Sequence, residues 1–478
     1  MRESLDCAYA LDIPGGQQRR LATGWLLLAV GSLVLGGVLT ILIVLSRTPG
    51  VQSIMPWTDF FHTAIVVHVD LTVLVWFLAF AGVFWSLTAT DRYSALGWVA
   101  LCIATAGTLI FTVSPFIGAS DPLMNNYVPV LQDSVFLTGL AVFGAGIAVL
   151  VVRSVLSLQF PGALTQGRGV LRFGALSALV ACAASLAALV ATYVLLPATL
   201  DGRAYYELLF WGGGHLLQFT HTQLMLVAWL WLATAAGIVT GLRPGVVLLL
   251  LAAGVAPVLG APLIYLWYDV DSVEHIAAFT TLMRYGAALA PLVIGGAIVF
   301  AMFRGKWVEA RRPEYTTLLF SIVLFGVGGV IGYLISGINV TIPAHYHGSI
   351  VAVTLAFMGV TYYLLPRLGF EQPYVRLATW QPVIYGGGQL LHVLGLAWSG
   401  GYGVQRKTAG AAQGLDSIPE IAGMAVMGVG GLISVIGGLL FVVIAISSFW
   451  KGYKGMHRDR SLDGCHRGNN DGYTADEF

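Results

Sequence analysis

Apolar residues fill the chain from Leu21 to Trp450 in blocks long enough to cross a bilayer, separated by short polar connections. A helical crossing needs roughly 20 mainly apolar residues. Twelve blocks qualify: 22–47, 60–89, 94–118, 130–157, 168–196, 205–239, 245–268, 275–303, 315–337, 343–365, 376–399 and 419–449. The pattern predicts an all-α polytopic membrane domain of twelve transmembrane helices over residues 22–450, with polar tails at 1–21 and 451–478. The final stretch "HRDRSLDGCHRGNNDGYTADEF" has no apolar period and is expected to be unstructured.

Charge orients the bundle. Only 10% of the residues are charged and 57% are hydrophobic, so the membrane lipid is the main solvent of this surface. Basic residues are retained on the cytoplasmic side. With both termini cytoplasmic, nineteen Lys and Arg fall on that side and four on the other, Arg47, Arg203, Arg406 and Lys407. An odd helix count would destroy this asymmetry. The first block is of full spanning length, with no small-residue cleavage site after it, and reads as a retained helix rather than a signal peptide. Cys7, Cys102, Cys182 and Cys465 stand alone, so neither a disulfide framework nor a C-x-x-C-H haem attachment is indicated. The net charge of +1, without a basic face, gives no reason to expect nucleic acid.

Histidines change the picture, because an ionisable residue within a span is a functional candidate by default. His68, His215, His345 and His347 lie in the second, sixth and tenth blocks; His62, His221, His275 and His392 are further candidates. Those three blocks run from outside to inside, and counting residues from their starts places the four rings in one outer layer, roughly 10–15 Å deep at about 1.5 Å per residue. His345 and His347 in "IPAHYHGSIV" are two residues apart and point about 200° from one another. They cannot hold one metal together, but they can serve two haems on opposite sides of the helix. His68, at the same depth, is the natural second ligand for one of them. Two imidazoles make an electron-transferring haem; one leaves an open position.

These residues resemble the catalytic subunit of the haem-copper oxidase superfamily, over essentially all twelve helices. The tenth-helix H-x-H stands in "AHYHGSIVAVTLAFMGVTYYLLPRLG", the second-helix ligand is His68 in "VVHVDLTVLVWFLAF", and the sixth-helix metal ligand is His215 in "LFWGGGHLLQF". The resemblance implies a low-spin haem, b-type favoured, on His68 and His347 and a high-spin haem on His345. It further implies Arg406 and Lys407 as haem-propionate partners, and an electron-donating subunit, c-type cytochrome or cupredoxin as partner. The implied location is a bacterial inner membrane.

The chain departs from that family where the second metal binds. No His-His pair occurs, and the corresponding region, "LIYLWYDVDSVEH", puts Tyr268 and Asp269 in its place. His215 and Asp269, with His275, Asp271 or Glu274, would make a site for a harder ion, iron rather than copper. Phe219 stands where oxygen reductases commonly carry a redox tyrosine, with Tyr265 or Tyr268 as substitutes. No span contains Lys, and Asp70, Asp133 and Glu207 belong to the outer half. Together these features imply a respiratory terminal reductase turning NO into N2O, with O2 reduction as the alternative. A non-catalytic haem-binding sensor or assembly protein is the reading from another class.

Overall fold

A computed structural model describes residues 8–46, 60–117, 121–305, 308–406 and 415–467. Its spans are Gly16–Ser46, His62–Thr88, Ser94–Val113, Ser134–Leu156, Gly167–Leu195, Gly202–Ala235, Pro244–Trp267, Val273–Arg304, Arg312–Leu334, Thr341–Arg367, Val375–Gly401 and Ile418–Arg467. All except Val375–Gly401 are apolar enough to stand out by composition. That eleventh span carries Arg376, Gln381, Gln389 and His392, which lower its hydropathy without ending the helix.

Neighbours in sequence pair most closely, the third with the fourth, fifth with sixth, ninth with tenth and eleventh with twelfth. Glycine lets them approach. A Cβ on Gly328 of the ninth span would meet the backbone of Gly348 in the tenth, and the converse holds. Gly107 and Gly139 do the same for the third and fourth. The second, sixth and tenth spans form the interior, with 67%, 83% and 83% of their apolar windows buried, against 28–44% for the other eight spans that stand out. These are the helices that carry His68, His215, His345 and His347. Toward their C-terminal ends they are locked by aromatic packing, including Phe80 stacked on Phe357 at 4.6 Å and the indole of Trp229 bonded to Ser321 Oγ at 2.7 Å.

Three spans are not continuous α-helix. The second winds into a π-turn over Asp70–Val75, directly after His68. The seventh passes through a 3₁₀ stretch, Ala256–Gly260, and the eighth breaks between Gly286 and Leu289. Between the third and fourth spans a hairpin of β1 (Pro122–Leu123) and β2 (Val130–Leu131) pairs antiparallel, Pro122 opposite Leu131. It holds Asn125, Asn126 and Tyr127 on its tip.

The tails differ from expectation. The last helix continues to Arg467, so the stretch expected to be unstructured begins as helix; extending a helix already nucleated by the span costs little per residue. Within the expected N-terminal tail the helix starts at Gly16, and Tyr9 and Leu11 are buried before it. Tyr9 N–H donates to Thr234 Oγ1 at 3.0 Å, and its hydroxyl donates to the Leu242 carbonyl at 2.8 Å.

Candidate haem and metal centre

Each of the four central histidines sets its Nδ1 against a backbone carbonyl. His68 meets Gly36 O at 2.9 Å, His215 meets Trp211 O at 2.8 Å, His345 meets Gly328 O at 2.7 Å and His347 meets Pro343 O at 2.8 Å. A carbonyl can only accept, so the proton sits on Nδ1 in all four, and Nε2 presents its lone pair. That is the arrangement an imidazole ligand needs, with ring orientation fixed from behind. Thr40 Oγ1 adds a second contact to His68 Nδ1, at 3.1 Å. The glycine contact between the ninth and tenth spans brings Gly328 O within reach of His345, and Gly332 leaves room for the ring, since a Cβ there would lie 2.7 Å from Nδ1.

His68 and His347 stand on the second and tenth spans, both in the interior of the bundle. The structure sets His392 of the eleventh span beside His347, ring centroids 4.7 Å apart, with His392 Nδ1 on the Met427 carbonyl at 3.0 Å. The Asp70 carboxylate, first in the π-turn, is 1% exposed, and neither oxygen has a hydrogen-bond partner among the described residues. His221 lies edge-on to Phe77 at 4.8 Å, a packing role in keeping with its direction away from His215.

Around His215 the triplet Gly212-Gly213-Gly214 clears space in three directions. A Cβ on Gly212 would strike Tyr265 Oη; on Gly213 it would crowd the Ser185 carbonyl; on Gly214 it would overlap the Tyr127 ring. Tyr127 reaches in from the hairpin tip, and its hydroxyl lies 3.0 Å from His215 Nε2. Burial raises its pKa well above the ordinary phenol value; nearby Tyr346 and Glu207 add to this, and a hydrogen bond with Gln218 opposes it. His275 is 2% exposed, its ring 5.0 Å from those of Tyr265 and Phe279, and its Nδ1 has no partner among the described residues. Asp269, expected beside His215, is instead exposed in a turn whose carbonyl accepts from Ser272 Oγ at 2.7 Å. Asp271 is exposed and Glu274 is also exposed. Phe219, 1% exposed, belongs to an apolar cluster with Leu216, Val258, Ile264 and Phe279, whose ring lies 6.0 Å from that of His215.

Beyond Tyr127 the contacts are polar. Arg406 Nη1 donates to Asn126 Oδ1 at 3.4 Å, the Asn126 amide donates to Glu207, and Tyr346 bonds to Arg406. Lys407 lies outside the described residues. Sequence reasoning missed Tyr127 and Asn126, because a loop residue's reach to a helix some eighty positions later leaves no local pattern. The turn-rich "LMNNYVPV" between two spans was the available signal.

The donor set fits haem, with oriented Nε2 atoms and an arginine bonded to Tyr346, next to His345 in sequence; for a further metal, no three or more His, Cys, Asp or Glu gather among the described residues, which leaves His215 and the buried His275 as its histidines. Comparison with known proteins agrees. The cytochrome c and quinol oxidase polypeptide I family matches residues 20–456. An uncharacterised protein of Rickettsia prowazekii (strain Madrid E) is 30% identical, covering 91% of this chain and 97% of its own length. One of Aquifex aeolicus (strain VF5) is 26% identical over 73% of this chain and 85% of its own. The cryo-EM structure of a haem-copper terminal oxidase dimer superposes with a TM-score of 0.69 at 15% identity, covering 91% of this chain and 84% of that one. Membership implies haems, a second metal and a membrane oxidoreductase supplied by an electron donor. The chain belongs to the cytochrome c and quinol oxidase polypeptide I family, the subunit I of haem-copper oxidases.

Proposed function

We propose that this chain is the catalytic subunit of a nitric oxide reductase, in which two NO, two electrons and two protons give N2O and water. The haems and second metal, when bound, supply the electrons and the coordination positions for NO. His68 and His347 hold the electron-entry haem and His345 the second, with His215 and His275 holding the non-haem metal, iron favoured. Asp269 becomes a ligand only if its turn folds inward. An electron-donating subunit or a soluble c-type cytochrome or cupredoxin reduces the first haem, and the complex sits in a bacterial inner membrane.

The observation that carries this reading is the polarity around His215. Phe219 and an apolar cluster pack beside it, and its polar contacts lead through Tyr127 toward Tyr346, Arg406, Asn126 and Glu207. Protons consumed at the site therefore come from the outer face, where no pumping machinery is needed. Phe219 removes the phenol that oxygen reductases commonly place one turn past the metal-binding histidine.

O2 reduction is the second reading, favoured by one observation: Tyr127 returns a phenol to His215 from another part of the chain. The purified, reduced complex decides between them. NO consumption with one N2O formed per two NO, and O2 turnover at least tenfold slower, is the expected result. Faster O2 turnover, with copper in this subunit, overturns it.

A further inference from the structure

His215 Nδ1 is committed to the Trp211 carbonyl, so any metal held by this ring binds at Nε2. That nitrogen faces the Tyr127 hydroxyl at 3.0 Å. For bonds of about 2.0–2.1 Å, two ligands at right angles on one metal lie about 2.9 Å apart. The phenol oxygen thus stands at the separation of an adjacent ligand. The seat is built: Gly214 lacks the Cβ that would overlap the Tyr127 ring, and β1 and β2 fix the loop that delivers it.

We propose that Tyr127 is a ligand of the second metal, taking the place left by the absent His-His pair. The inference rests on the metal-bearing reading of His215 given above. His215 Nε2 and the Tyr127 oxygen form one edge of the site, and His275, buried with an uncommitted Nδ1 and packed like His215 against Phe279, offers a further imidazole. On metal binding the Tyr127 O–H bond breaks, the oxygen keeps the electron pair as a phenolate donor, and the proton is released to the outer solvent. A phenolate is a hard, anionic donor that favours iron over copper. The same residue that returns a phenol to His215 would then serve NO chemistry, because an oxygen bound to the metal is no free hydrogen donor.

The test is the ratio of non-haem metal to haem in the purified complex, with resonance Raman excitation in the visible for tyrosinate ring modes. The wild-type protein is expected to hold one non-haem iron per two haems and to show those modes. Tyr127→Phe should lose most of that iron and all tyrosinate modes while keeping both haems. Gly214→Ala, which expels the ring without removing it, should do the same. Tyr127→His should regain the metal without the modes. Stoichiometric metal in Tyr127→Phe, or wild-type protein with the metal but no tyrosinate modes, overturns the ligand assignment and leaves the metal site standing. Wild-type protein without a non-haem metal overturns both.

Discussion

A carbonyl behind each ring decides more about these histidines than their neighbours in sequence do. By holding the proton on Nδ1, Gly36, Trp211, Gly328 and Pro343 leave four rings with Nε2 unprotonated and oriented as ligands would be. His345 and His347 were legible from their spacing, and His68 and His215 from the cost of placing an imidazole in a span. Tyr127 was not legible, since its role depends on a hairpin tip meeting a glycine in the sixth span. Asp269 illustrates the opposite failure: a carboxylate beside the expected position proved to be a turn residue facing solvent. At this scale, His68→Ala or His347→Ala should abolish the low-spin haem spectrum and lower total haem by about half. An unchanged reduced-minus-oxidised spectrum in either variant would refute the pairing.

Among the elements, hydropathy over about 20 residues records membrane thickness and marks eleven of the twelve spans strongly, while polar side chains weaken the mark of Val375–Gly401. It averages away what happens within a turn. The π-turn at Asp70–Val75, the 3₁₀ stretch at Ala256–Gly260 and the break near Gly286 are invisible to it. The π-turn has a mechanical role, since its extra residue re-aims everything before it relative to the tightly packed segment Trp76–Thr88. Deleting Val73 should restore α-helix and rotate His68 by about 100° about the helix axis. The expected outcome is a protein that still inserts and holds one haem, without the six-coordinate spectrum. A normal spectrum in that deletion would show that the turn does not set the ring's direction.

On the scale of the whole molecule, the excess of basic residues on one side predicts how the bundle is oriented, and the proposed function draws its protons from the phase that Glu207 and Arg406 face. Reconstituted in vesicles with that face outward, and without an uncoupler, turnover on NO should raise external pH and leave luminal pH unchanged. Luminal alkalinisation during turnover would place the proton path through the opposite half and refute the proposed route past Tyr127.

The anchorage of Tyr9 has a consequence for how such a chain is made. Its two partners, Thr234 and Leu242, are synthesised more than 220 residues after it. Asp12 can meet Arg168 and Arg172 once the fifth span is made, but the two Tyr9 bonds can close only after the translocon has released the sixth span and the connection beyond it. The leading segment therefore docks in stages, and closure of the Tyr9 bonds follows assembly of the amino-terminal half of the bundle.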